Sequence, residues 1–203
     1  MVQTPLDAKT LSLELPTELR LTVTDAQFEQ LAASNRELRL ERTAKGELIV
    51  NPPTGWETGR RNRSLTGQLD RWYEENDDLG EAFESSTGFK LPNGATRSPD
   101  ASWVSRERWD ALSVEQKRET FAPICPDFVV ELRSSSDNLK PIQEKMCEYI
   151  DNSARLGWLL DPTSKRVEIY RADQPTEVLE NPSELSGEDV MLGFVLKMRR
   201  IWT

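Results

Sequence analysis

At 203 residues with 36% hydrophobic content, the chain can bury one substantial core, and nothing in its composition demands a second domain. Thirty-five acids against 26 bases leave a formal net charge of −9, which excludes a protein that coats nucleic acid through bulk electrostatics; any phosphate contact has to be local. Cys125 and Cys147, in a chain with no signal-peptide pattern, point to reduced thiols in the cytoplasm, and the longest mostly apolar run, residues 190–196, is too short to cross a bilayer.

Residues 1–21 mix Pro5 and Pro16 with apolar residues in no period, which predicts an arm ahead of a domain over 22–203. Thr24 followed by Gln27 forms a capping box before Phe28, Leu31 and Ala32, so a short helix runs to about Ser34. Residues 38–50 alternate around Ala44-Lys45-Gly46 as a β-hairpin, and Pro52-Pro53-Thr54-Gly55 stops it. From 56 to 75, Leu65, Leu69, Trp72 and Tyr73 share one face of the longest helix, whose outer face carries Arg60, Arg61 and Arg63. Those arginines read more simply as a soluble helix face than as a phosphate track. A second hairpin joins 82–91 to 96–104 through Pro92-Asn93-Gly94. Residues 106–119 look helical but irregular. A helix entered at Pro141 buries Ile142, Met146, Tyr149 and Ile150. Strands at 156–160 and 167–170 flank a turn at 161–164, and 190–201 is expected to add an edge strand. Trp56, Trp72, Trp103, Trp109 and Trp158 are expected as core or hairpin cover.

Chemistry is expected on the strand Cys125 to Ser134. By the two-residue period Phe128, Val130 and Leu132 form an apolar face, which places Glu131 and Arg133 together on the other. Ser98-Pro99-Asp100 opens a neighbouring strand. An acid on one strand beside Glu-x-(basic) on the next is an arrangement that holds a divalent cation at a scissile phosphate. Taken alone, the same pattern is an ordinary solvated sheet edge with a weak ion pair. Asp127 is a poor partner for Glu131, because four residues of extended strand separate their Cα atoms by about 13 Å. Asp100 is therefore assigned, and Asp127 is read as capping nearby backbone or facing solvent.

Pro52-Pro53-Thr54-Gly55, Glu57-Thr58-Gly59, Ser85-Ser86-Thr87-Gly88-Phe89, Leu91-Pro92-Asn93-Gly94-Ala95, Ser98-Pro99-Asp100, the run from Pro126 to Ser134, and Leu156-Gly157-Trp158-Leu159-Leu160-Asp161-Pro162 together resemble the Uma-type family of bacterial endonucleases over roughly residues 20–202. That family lies within the restriction-endonuclease-like PD-(D/E)XK superfamily. The resemblance implies an α/β (α+β) fold: a mixed central sheet flanked by helices, with an additional N-terminal hairpin. It implies a Mg²⁺ (or Mn²⁺)-dependent nuclease acting on nucleic acid, DNA foremost, and a homodimer, since enzymes of this type that cut both strands often pair two sites. Asp100 and Glu131 stand at the metal carboxylates, Glu57 at the additional helix acid, and Arg133 where the motif lysine usually sits.

A guanidinium is effectively always protonated, so Arg133 cannot be a general base, although it can clamp a phosphate oxygen. Lys145, one helical turn before Tyr149, is the candidate for the displaced amine. The other reading of Arg133 and the net charge of −9 is a nuclease-fold module that binds nucleic acid or protein without turnover.

Overall fold

The computed structural model describes residues 20–203. Of the arm expected over 1–21, all but Arg20 and Leu21 lie outside the described residues. Leu21 carries its carbonyl to the Leu48 N–H at 2.7 Å, and Thr22 bridges Glu47. The capping box forms as expected: Gln27 N–H donates to the Thr24 hydroxyl at 3.2 Å and Thr24 N–H to the Gln27 side chain at 2.9 Å, starting α1 (Asp25–Ser34). The first hairpin is β1 (Arg39–Arg42) and β2 (Leu48–Asn51), its turn closed by Gly46 at φ +85°, a conformation that costs glycine little. Then come α2 (Trp56–Glu75), β3 (Gly80–Glu84), β4 (Phe89–Lys90), β5 (Thr96–Arg97), β6 (Ala101–Ser105) and a five-residue α3 (Arg106–Asp110). After β7 (Phe128–Leu132), α4 (Leu139–Asp151) makes the crossover to β8 (Leu156–Asp161), followed by β9 (Arg166–Arg171), β10 (Glu177–Glu180), β11 (Glu184–Ser186), β12 (Val195–Lys197) and α5 (Arg199–Trp202). Pro141 sits in the first turn of α4, where a missing N–H breaks no helical bond.

The central sheet has six strands in the order β10-β9-β8-β7-β6-β3, antiparallel except for the parallel β7–β8 pair that α4 connects. A four-stranded sheet, β2-β1-β5-β4, stands beside it. The second predicted hairpin is therefore divided: β3 and β6 belong to the central sheet, while β4 and β5 join the first hairpin. Ser98-Pro99-Asp100 is the crossing between β5 and β6. Pro99 has no N–H to continue a ladder, so the chain leaves one sheet there and enters the other.

The 190–201 tail does not form an edge of the central sheet, a place taken by β10. Among the described residues its β12 pairs only with β11. Gly193, at φ +80°, turns the chain so that Met191, Phe194 and Leu196 bury beside Trp72 and Trp158. Trp56 also departs from expectation, being 79% exposed at the start of α2.

Two apolar layers sandwich the central sheet. Phe128, Val130 and Leu132 pack with Leu65, Leu69 and Trp72 of α2, as the alternation predicts. Val129 and Leu159 pack with Met146 and Tyr149 of α4, so the opposite face of β7 is covered by a helix rather than by water. No helix among the described residues is long and apolar enough to cross a membrane.

Candidate active site

Asp100 enters β6 one residue before Ala101, which pairs with Val130 of β7, and its N–H donates to the Val130 carbonyl at 2.9 Å. Continuing that antiparallel register sets Asp100 opposite Glu131. Asp100 is buried. Its Oδ2 accepts the Leu132 N–H at 2.8 Å, while its Oδ1 meets Asn62 Nδ2 of α2 at 3.3 Å and Arg39 Nη2 of β1 only at 3.8 Å. Burial raises the Asp100 carboxyl above its ordinary value against the opposing pull of these groups and of Lys145.

Glu131 Oε1 accepts the Tyr149 hydroxyl at 3.1 Å and lies 2.7 Å from Lys145 Nζ. Its Oε2 accepts no hydrogen bond among the described residues. Burial, reinforced by the negative charges of Asp100 and Glu41, pushes the Glu131 carboxyl up to about 7 even with the Lys145 ammonium beside it.

Lys145 projects from α4 between two carboxylates, 2.7 Å from Glu131 Oε1 and 2.9 Å from Glu41 Oε1, with the Ser98 carbonyl at 3.4 Å. Burial lowers its proton affinity, but the two carboxylates outweigh burial and hold it well above the ordinary lysine range. Glu41, 4% exposed in β1, takes Arg97 Nη1 at 3.2 Å and the Ser98 N–H at 3.3 Å. Arg97 Nε in turn donates to Glu148 Oε2 at 2.6 Å. Burial pushes Glu41 up, and the charges of Lys145 and Arg97 override it and hold the carboxyl below its ordinary value. A charge-alternating chain, Glu148–Arg97–Glu41–Lys145–Glu131, thus crosses from one sheet to the other.

Asp100, Glu131 and Lys145 border a groove of about 950 Å³. One wall is the β1–β2 hairpin with the 51–55 turn, and the other is the 134–138 loop with the start of α4. Arg39 and Lys45 line the hairpin wall; the Arg39 Nε is buried and has no hydrogen-bond partner among the described residues.

Other residues singled out by sequence lie elsewhere. Glu57 is exposed, 3.8 Å from Arg61, and does not border the groove; α2 reaches the site through Asn62 instead. Glu57 is not brought together with Asp100 and Glu131, and among the described residues no three His, Cys, Asp or Glu side chains converge as a metal cage. Arg133 shares the Glu131 face, as the two-residue period predicts: its N–H still donates to the Leu160 carbonyl, and the register that pairs Glu131 with Leu159 brings it alongside Asp161, but it does not border the groove. Its Nη1 meets Asp161 Oδ2 at 2.7 Å and its Nε donates to the Asp137 carbonyl at 3.1 Å. Asp127 caps backbone as expected, accepting the Ser105 N–H at 2.8 Å, yet it is 1% exposed and paired with Arg108 at 3.1 Å rather than facing solvent. Arg60 donates to the Thr203 carbonyl, Arg61 faces Glu57, and Arg63 lies across Gly67; none of the three borders the groove.

A family model, Uma2, described as "Putative restriction endonuclease", matches residues 25–199. The chain belongs to this family. The match takes in Glu41, Asp100, Glu131 and Lys145, so every member of the charged cluster lies within the Uma2 region. No curated protein matches the chain. Among solved structures it is similar to "a putative nuclease belonging to DUF820 from Anabaena variabilis ATCC 29413", with a TM-score of 0.69 at 18% identity over 80% of this chain and 89% of that one. At that identity the likeness is one of fold, and the fold is restriction-endonuclease-like. Family and fold are together those of restriction-endonuclease-like nucleases.

Sequence reasoning reached Asp100, Glu131 and Lys145 but not Glu41, Arg97, Asn62 or Arg39. Tyr149 was within reach, since it shares the α4 face with Lys145. Glu41 stands between Leu40 and Arg42 in a strand that reads as half solvated, and its contact with Lys145 spans 104 positions.

Proposed function

We propose that this Uma2-family chain is a divalent-metal-dependent endonuclease that hydrolyses phosphodiester bonds in nucleic acid, DNA foremost, with Asp100 and Glu131 as the metal ligands. The observation that carries the reading is a pair of buried carboxylates on adjacent strands, bordering one groove, with a charged amine 2.7 Å from one of them. The donor set fits a hard cation: both carboxyls hold their protons more tightly than usual, Glu131 Oε2 is unbonded, and Asp100 Oδ1 has only long contacts. A centre so short of positive charge is relieved by Mg²⁺ or Mn²⁺. When bound, the ion supplies Lewis acidity to the phosphate and a more acidic water.

The remaining chemistry belongs to the side chains. Lys145 stays protonated between Glu131 and Glu41, so it acts as a positive charge toward the phosphate and the attacking water, not as a base. Tyr149 fixes the Glu131 rotamer from beneath. The clamp expected of Arg133 falls to Arg39, whose half-buried guanidinium lines the groove, and phosphates run along the hairpin wall past Lys45 rather than over Arg60, Arg61 and Arg63. Lys145 beside Glu131 favours turnover over a binding-only module, because the amine missing at position 133 is supplied from α4. Cutting two strands calls for two grooves, hence a homodimer. The test is cleavage of single- and double-stranded substrates in Mg²⁺, Mn²⁺ and EDTA by the wild type and Asp100→Ala. Unchanged cleavage by the variant, or in EDTA, overturns the reading.

A further inference from the structure

We infer that Glu41 is the positioning residue of this centre: from the β1–β2 hairpin it fixes the Lys145 ammonium against Glu131, which makes the four-stranded sheet a working part of the site rather than an accessory. The inference deepens the nuclease reading and rests on it for its activity measurements alone.

A lysine amine sits on a flexible four-carbon stem and offers three hydrogens. Here three acceptors surround it, Glu131 Oε1, Glu41 Oε1 and the Ser98 carbonyl, from three different elements. Remove Glu41, and Glu131 is the only charged partner left among the described residues, with the Tyr149 ring 5.8 Å away as a weak support. Glu41 is itself immobilised: Arg97 holds Oε2, the Ser98 N–H meets Oε1, and Glu148 anchors Arg97 from behind. With both oxygens occupied by cations and backbone, Glu41 is not available as a further metal ligand. Ser98 joins the two halves, since its N–H goes to Glu41 and its carbonyl to Lys145, two residues before Asp100. Displacement of Glu41 therefore moves the amine.

Two measurements on the full chain test this. In the first, ¹⁵N-detected lysine NMR of the metal-free protein follows the ammonium of Lys145, identified by its disappearance in Lys145→Met. A caged ammonium exchanges slowly and is visible. The expected result is that Glu41→Gln, which keeps shape but loses charge, exchanges or broadens this signal away while the amide spectrum stays folded. Glu41→Asp, which keeps the charge and withdraws it by one methylene, does the same and serves if the glutamine variant does not fold. A signal unchanged in either folded variant overturns the inference.

In the second, with Mg²⁺ and duplex DNA, Glu41→Gln lowers kcat by about 10²-fold at little-changed KM, the loss expected for a reacting group misplaced by ~1 Å. In the Lys145→Met background the same change produces no further loss. Equal losses in both backgrounds overturn the inference, because a residue that merely supports the fold acts independently of Lys145. If the wild type cleaves nothing, the nuclease reading fails, and the NMR result still decides whether Glu41 positions Lys145.

Discussion

Glu131→Gln tests the electrostatics of the site without substrate. Burial first, then repulsion from Asp100 and Glu41, moves this carboxyl from an ordinary 4.5 up to about 7. The unfolded chain releases the proton near the ordinary value, so the folded protein binds it more tightly. That stabilisation is complete below the ordinary value and is lost as pH rises through about 7. At about 1.4 kcal/mol per pH unit, the gap between the two values amounts to roughly 3 kcal/mol, or ~6–12 °C in Tm for a chain of this size. Asp100 moves in the same direction, so the wild-type curve mixes two carboxyls. The difference between wild type and Glu131→Gln isolates one.

Urea unfolding in EDTA across this range reads it out: the stability of the wild type relative to the variant falls by about 3 kcal/mol from acid to mildly alkaline pH. The variant also weakens the hold on Lys145, which offsets the two curves without changing their relative slope. Adding Mg²⁺ at the alkaline end then stabilises the wild type, by about 2.7 kcal/mol at a concentration a hundredfold above Kd, and leaves Glu131→Gln where it was. Parallel curves would show that Glu131 ionises normally and that the site is not short of positive charge.

Asp100→Ala and Glu131→Ala each abolish hydrolysis with the fold retained, checked by cleavage assay beside circular dichroism. Lys145→Ala lowers the single-turnover rate by about 10²–10³, the loss expected when a positioned stabilising charge is removed. Arg39→Ala costs about 10²–10³ in kcat, whereas Arg133→Ala leaves the rate alone and lowers stability, because it frees the Asp161 carboxylate; the reverse pattern would return the clamp to Arg133. Asp127→Asn keeps an acceptor for the Ser105 N–H but loses the Arg108 pair, so a cost of about 1–3 kcal/mol in urea unfolding with unchanged cleavage is expected. Light scattering of the purified chain at micromolar concentration reports a dimer if the two-groove arrangement holds.

Much of the fold was legible because its signals are local. The capping box at Thr24, the helical stripe of Leu65, Leu69 and Trp72, and the alternation of Phe128, Val130 and Leu132 each lie within one element and needed no knowledge of the rest. The split of the second hairpin between two sheets was not legible. Thr96 and Ala101 both carry strand-like residues, and the turn at Gly94 is correct for either arrangement. What separates the sheets is Pro99, which removes one ladder N–H, together with the partner that β5 finds in β1, some fifty residues earlier in the chain. The tail failed for a similar reason: its apolar residues are strand-like, but the turn at Gly193 lets Phe194 pack against Trp72 and Trp158, a better burial than an edge would give.

The site divides along the same line. Asp100 and Glu131 could be paired from sequence because adjacent strands and a two-residue period bring them together, and Lys145 because one helical turn aligns it with Tyr149. Arg133 shows where that reasoning stops: the period gives its face but not its partner, and the side chain pairs with Asp161 on the neighbouring strand rather than entering the groove. Glu41 was out of reach altogether, since a glutamate between Leu40 and Arg42 in a short strand is indistinguishable from a solvated one until the second sheet is in place. The sheets meet where Ser98-Pro99-Asp100 passes between them, so the residue that ends one ladder and the carboxylate that begins the other are neighbours in the chain. Any change that straightened this crossing would carry Asp100 away from Glu131 and Ser98 away from Lys145 in a single movement. The crossing and the charged cluster are thus parts of one arrangement, held on one side by the Leu132 N–H and on the other by Glu41.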